Sequence, residues 1–299
     1  MTTVAEIPAA TPARVKRVTD YFELTKPRLV LLVLLTTLVG YYVALGGPVQ
    51  WAAMSAALIG TALCAAGSQA LNQFVERDTD ALMRRTRTRP LPEGRLAPHE
   101  GLVFGVALTI TGLTVLTLTT NRVTVGLALL TVVSYLFAYT PLKTRTPLAT
   151  LAGCVPGALP PVIGWTAAGQ PIGIAGATLF AILFFWQVPH SLAIAYLYRS
   201  DYERAGCQLL PVVEPDGRST GRQVLLNCLA LLAVSLAPSV IGLAGRWYFA
   251  SAAVTCSIVV AAGLRFARQP SAETARAVLI SSYVALTVEL TVLALDRVG

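Results

Sequence analysis

Charged side chains are scarce in this chain: Asp, Glu, Lys and Arg make up 13% of its 299 residues, against ~25% in ordinary soluble domains. A water-soluble globule and a disordered chain are both excluded. Cysteines number five, Cys64, Cys154, Cys207, Cys228 and Cys256, with no C-x-x-C spacing among them. Neither a zinc site nor a disulfide framework is indicated. No small-residue cleavage site follows the first apolar run, so a cleaved signal peptide is not expected.

What the chain has instead is apolar length. It is 55% hydrophobic with a mean hydropathy of +0.66, which reads as an all-α polytopic membrane protein. A bilayer core ~30 Å thick takes roughly 20 apolar residues in a helix. On that measure nine spans are expected, at 29–45, 51–74, 101–119, 123–139, 147–168, 172–197, 224–243, 247–266 and 277–295. Residues 1–20 carry Arg14, Lys16 and Arg17 among Ala, Thr and Pro and read as a basic, disordered cytoplasmic tail. Residues 21–299 read as one membrane domain.

The net charge of +8 then becomes a statement about topology, and no nucleic-acid partner is expected. Basic residues near span ends stay on the cytoplasmic side. With the N-terminus inside, 20 of the 23 Lys and Arg fall inside, and only Arg122, Arg246 and Arg297 fall outside. The expected location is the cell (inner) membrane, with the C-terminus outside. The outside connections are tight turns, whereas two inside loops, 76–100 and 198–222, are long and polar. Function usually sits in such loops.

The second span runs into Asn72, Glu76 and Asp80, spaced i, i+4 and i+8 and so stacked on one helical face. A column of oxygens at the mouth of a bundle suits Mg²⁺, which takes few carboxylate ligands and leaves its other positions for water and phosphate. Arg85 and Arg89 follow four residues apart and suit bidentate contacts to phosphate. The plainer account pairs these carboxylates with neighbouring arginines on a solvated helix end. Asn72 argues against that account, because it lies a turn inside the apolar segment, where a polar side chain faces a cavity or another helix.

These residues resemble the UbiA-type intramembrane prenyltransferases, and within them the enzymes that farnesylate heme. The likeness is carried by Leu24-Thr25-Lys26-Pro27-Arg28, the 72–92 stretch, Tyr139-Thr140-Pro141-Leu142-Lys143 with Pro160-Pro161-Val162-Ile163-Gly164-Trp165, Trp186-Gln187-Val188-Pro189-His190, and Asp201-Tyr202 through Leu210-Pro211. The Trp-Gln-x-Pro-His segment is what points to heme. The resemblance implies nine helices around a central cavity capped by the two cytoplasmic loops, with Mg²⁺ as cofactor. It implies transfer of farnesyl from farnesyl diphosphate to a vinyl group of protoheme IX with addition of water, giving heme O and diphosphate, on an active site facing the cytoplasm.

The roles that follow are expectations. Asn72, Glu76 and Asp80 would hold the metal. Arg85, Arg89, Lys26, Lys143 and Arg199 would face the diphosphate. His190, the one histidine in an apolar segment, would contact the heme, as an axial ligand or otherwise. Trp186, Tyr139 and Tyr196 lie at a depth where aromatic faces shield a farnesyl cation, and Asp201 would line the substrate cavity. The prolines of the fifth span are tolerable where a helix borders a cavity.

Two departures from the family pattern stand out: the second loop offers the single Asp201 where relatives carry several aspartates, and Ala149 stands where an asparagine is expected. A complex with a heme A synthase is not readable from the sequence. The rival readings are the same fold acting on another aromatic or tetrapyrrole acceptor, and a polytopic transporter. A transporter would place its polar residues near midplane in broken helices, whereas here the charged clusters sit at one mouth.

Overall fold

Backbone amides in lipid have no water to bond, so apolar runs must satisfy them internally as helices. The computed structural model describes residues 13–298, with side chains from residue 17 onward, and the described residues are helical apart from turns and one isolated bridge between Ala244 and Arg297. In order they form α1 (Ala13–Leu24), α2 (Pro27–Val43), α3 (Trp51–Leu82), α4 (Pro98–Thr119) and α5 (Arg122–Val133). A π-helical segment, Ser134–Tyr139, and the single turn α6 (Thr140–Leu142) continue α5. Then come α7 (Ala149–Ala158), α8 (Pro160–Ala167), α9 (Gly173–Leu197), α10 (Arg199–Arg204), α11 (Leu210–Val213), α12 (Arg218–Val240), α13 (Arg246–Arg268) and α14 (Ala272–Leu295).

Seven helical stretches are long and apolar enough to cross a bilayer: α3, α4, the run from Arg122 to Leu142, α9, α12, α13 and α14. The other two expected spans take different forms. One is α2, with 17 residues. The other is the pair α7 and α8, broken at Leu159 because Pro160 and Pro161 lack the amide hydrogens that continuation requires. The segment 13–20 differs from expectation in being helical. It starts α1, and Asp20 is buried in an ion pair with Arg95 of the first long loop. Arg95 also bonds Glu23, Glu93 and the carbonyl of Thr88, pinning that loop to α1. Residues 1–12 of the expected tail lie outside the described residues.

Two apolar clusters flank the centre of the bundle. One joins α9, α12, α13 and α14 through side chains such as Leu183, Trp186, Leu231, Phe266 and Leu286. The other joins α3, α4, α5 and α8 through Cys64, Leu116, Val132 and Ile163. The helix α2 reaches α8 closely because Gly164 has no side chain: a methyl there would run into the Thr37 carbonyl oxygen. Glu289, buried in α14, accepts hydrogen bonds from Ser235 of α12 and Cys256 of α13, each at 2.9 Å, so it ties three helices together.

Candidate active site

Helix α3 outlasts the apolar stretch and carries Asn72, Glu76 and Asp80 up one face to the end of the bundle where the two long loops meet. Three cations converge on that face, one opposite each residue. Lys26 Nζ donates to Asn72 Oδ1 (3.4 Å), Lys143 Nζ to Glu76 Oε1 (2.8 Å) and Arg89 Nη1 to Asp80 Oδ2 (2.6 Å). Arg89 reaches Asp80 because the loop folds back on its own helix, with Thr86 Oγ1 donating to the Asp80 carbonyl at 2.8 Å. Asn72 is fixed from its other sides by Thr140 (3.1 Å) and Tyr135 (3.3 Å).

The donor set fits Mg²⁺. Asp80 is 1% exposed, and its Oδ1 is buried without a hydrogen-bond partner, a costly state for a carboxylate oxygen and one that a hard cation relieves. Among the described residues no three His, Cys, Asp or Glu side chains converge on one point. The protein therefore offers one amide and two carboxylates, and Mg²⁺ bound by few protein groups keeps positions for phosphate oxygens.

Lys26 is the only described non-glycine residue in the left-handed region, at φ 47°. It caps α2 immediately before Pro27. Partial burial, reinforced by neighbouring Arg89, pulls its ammonium down to about 7. Lys143 goes the other way. Burial alone would lower it, but Tyr139 and Glu76 hold it well above the usual lysine range.

Beneath this mouth lies a cavity of about 410 Å³. Its walls come from α2, α3, α5, the π segment, α7, α8 and α9, and they are mainly apolar. Tyr135 and Tyr139, both on the π segment, stack with centroids 5.5 Å apart and line it. The π register has a local cause at Pro141, which cannot donate a backbone bond, and the Thr140 amide reaches back five residues to the Tyr135 carbonyl. The broken pair α7 and α8 contributes Pro156, Gly157 and Pro160 to the lining, so the interrupted helix does border a cavity. Gln187 brings an amide into the apolar wall, donating to the Leu183 carbonyl at 2.9 Å. A methyl at Gly157 would meet its Oε1.

The structure places the other expected residues less uniformly. Trp186 lines the cavity while its indole N–H donates to the Ser282 carbonyl at 2.6 Å. His190, one turn further along α9, is not among the lining residues. It turns to α14, with Nδ1 2.9 Å from Ser282 Oγ and its ring stacked on Trp186 and edge-on to Tyr283. Arg199 points away from the mouth, donating to the Pro215 carbonyl at 3.0 Å and lying over the Tyr196 ring. Asp201 is buried but paired with Arg204. Arg85 leaves the acidic column and donates to Tyr202 OH at 3.1 Å, linking the first loop to the second. Ala149, in the place of the expected asparagine, is fully buried among Met83, Ala205, Cys207 and Leu209 under the second loop.

Tyr135, Tyr202 and Gln187 are site residues that sequence reasoning passed over. Tyr135 follows from the four-residue spacing to Tyr139, which a π register brings into stacking distance. Tyr202 adjoins Asp201 in a motif already noticed. Gln187 had the stronger signal, as an amide inside an apolar run beside Trp186.

An acidic column faced by cations at the mouth of an apolar intramembrane cavity defines a class: a helical membrane protein built to hold an apolar chain with an anionic head. The chain matches the model of the UbiA prenyltransferase family over residues 33–286 and belongs to that family. It is 44% identical over 289 residues to a protoheme IX farnesyltransferase of Solibacter usitatus (strain Ellin6076), covering 94% of this chain and 99% of the relative. A protoheme IX farnesyltransferase of Koribacter versatilis (strain Ellin345) is 42% identical, covering 93% of each.

Solved structures share the fold. A digeranylgeranylglyceryl phosphate synthase superposes with a TM-score of 0.80 at 16% identity, covering 94% of this chain and 98% of the other. A UbiA homologue from Archaeoglobus fulgidus bound to GPP and Mg²⁺ does so with a TM-score of 0.64 at 18% identity, covering 92% and 99%.

Proposed function

We propose that this protein transfers the farnesyl group of farnesyl diphosphate to a vinyl group of protoheme IX, forming heme O. The observation that carries the prenyl-transfer half is the buried, unpartnered Asp80 Oδ1 on a column flanked by three cations above an apolar cavity. The acceptor half rests on similarity to protoheme IX farnesyltransferases across 94% of the chain.

Asn72, Glu76 and Asp80 would hold Mg²⁺, which when bound would spread the negative charge of the diphosphate. A diphosphate at that column meets Arg89 and Lys143, and Lys26, whose ammonium the anion favours; such preorganised groups lower the barrier to departure of an anion. The C1–O bond breaks with its electron pair going to diphosphate. The π pair of the vinyl group then bonds its terminal carbon to C1 of the farnesyl group, and water adds its oxygen to the cation left on the inner carbon, losing one proton to solvent or diphosphate and leaving the hydroxyl. Tyr139 and Trp186 line the cavity, and aromatic rings there stabilise the allylic cation without trapping it. The polar mouth faces the cytoplasm and the protein resides in the cell membrane.

The test is product mass. Purified protein incubated with protoheme IX, farnesyl diphosphate and Mg²⁺ is expected to yield farnesylated, hydrated heme. Prenylation of a different acceptor under the same conditions would overturn the assignment. Asp80→Asn keeps the shape of the column and removes its charge, so turnover is expected to fall at least ~10²-fold.

A further inference from the structure

We propose that Arg85 binds a carboxylate of the acceptor and so reads the propionate edge of the porphyrin; this rests on the acceptor reading above. Arg85 is the only charged side chain among the described residues that line the central cavity. It has no carboxylate partner among them. Its guanidinium is held by Tyr202 OH at 3.1 Å and lies over the Tyr198 and Tyr202 rings, 5.0 and 5.6 Å from their centroids. Lys26, Arg89 and Lys143 are by contrast each engaged with the acidic column. Arg85 is thus a cation of the cavity wall itself, apart from the three cations gathered on the acidic column of α3.

Protoheme has the matching polarity. The vinyl that reacts must lie against C1 of the donor, hence beside the acidic column. The two propionates project from the opposite edge of the macrocycle. Their charge is expensive to bury among apolar walls without a partner, so that edge must lie where the cavity wall itself carries a cation. Arg85 is that lining cation, turned to Tyr202 of the second loop, and its planar fork matches a carboxylate. The Tyr198 and Tyr202 rings and the Tyr202 hydroxyl already restrain the fork, so less side-chain entropy is lost when it meets a carboxylate.

The experiment compares two acceptors, protoheme IX and its dimethyl ester, with purified full-length wild type, Arg85→Gln and Tyr202→Phe. Loss of a charged hydrogen-bonded partner is expected to raise the KM for protoheme IX about ten- to a hundredfold in Arg85→Gln, with the KM for farnesyl diphosphate within about twofold of wild type. Tyr202→Phe, which frees the guanidinium but keeps the ring, shifts the same constant less. Wild type handles the diester as poorly as Arg85→Gln handles the diacid, and the variant no longer separates the two, as expected for groups in one contact.

A raised KM for farnesyl diphosphate with that for heme unchanged overturns the proposal and returns Arg85 to the diphosphate. So does a wild type that uses diester and diacid equally, a comparison that stands even if Arg85→Gln fails to fold. A wild type with no turnover of protoheme overturns the acceptor reading instead; absorbance titration with diacid and diester then reads the Arg85 contact without chemistry.

Discussion

Lys26 concentrates the tension between folding and chemistry in one residue. Its left-handed backbone at φ 47° costs a non-glycine residue on the order of 1 to 3 kcal/mol. Its ammonium is pulled down to about 7 by burial and by Arg89, so the folded protein without substrate holds this charge reluctantly. Asparagine tolerates the left-handed region and carries no charge. Lys26→Asn is therefore expected to leave the thermal midpoint unchanged or raise it, while turnover falls ~100-fold for want of a phosphate partner. Thermal unfolding and product formation on the same preparation check this; undiminished turnover would remove Lys26 from the site. The spacing of Asn72, Glu76 and Asp80 was legible in the sequence because a four-residue repeat needs only helical periodicity. The backbone strain at Lys26 was not, since a dihedral forced by packing leaves no mark in residue type.

At the scale of elements, two glycines separate packing from function. A methyl at Gly164 would strike the backbone of α2 at Thr37, which has no room to yield, whereas a methyl at Gly157 would strike the amide end of Gln187, beside open cavity. Gly164→Ala is expected to destabilise the protein by about 1 to 3 kcal/mol. Gly157→Ala should unfold at nearly the wild-type denaturant concentration but show an altered acceptor KM. Denaturant unfolding with steady-state kinetics distinguishes them, and equal losses of stability would refute the contrast.

Most helices were readable from apolar run length, which the bilayer imposes directly. The exceptions are instructive: the fifth expected span is two helices because adjacent prolines override hydropathy, and 13–20 is helical because Arg95, some seventy-five residues away, supplies a partner for Asp20. His190 shows the same limit, because an intramembrane histidine signals a polar partner without saying which side of the helix holds it. That partner is Ser282 on α14.

For the whole molecule, the charge bias and the clustering of polar loops at one end make a topological prediction. The five cysteines are buried, so background labelling is low. Gly46→Cys, in an exposed turn, should react with an impermeant maleimide in intact spheroplasts, whereas Arg87→Cys on the first loop should react only after permeabilisation. The reverse pattern would invert the orientation and place the active site outside.

The π segment has a consequence for how this region tolerates change. A π turn contains one residue more than an α turn, so it acts as a phase shifter between the lipid-facing part of α5 and the motif beyond it. Deleting one residue within Ser134–Tyr139 would restore ordinary helix with everything after it still in phase, whereas a return of all six residues to α-helical bonding would rotate everything after them by roughly 100°. Lys143 would then swing off Glu76, and Tyr139 would leave the cavity wall. A lost π register with no residue removed would thus act at two places at once, undoing a cationic contact and an aromatic surface that no point substitution removes together.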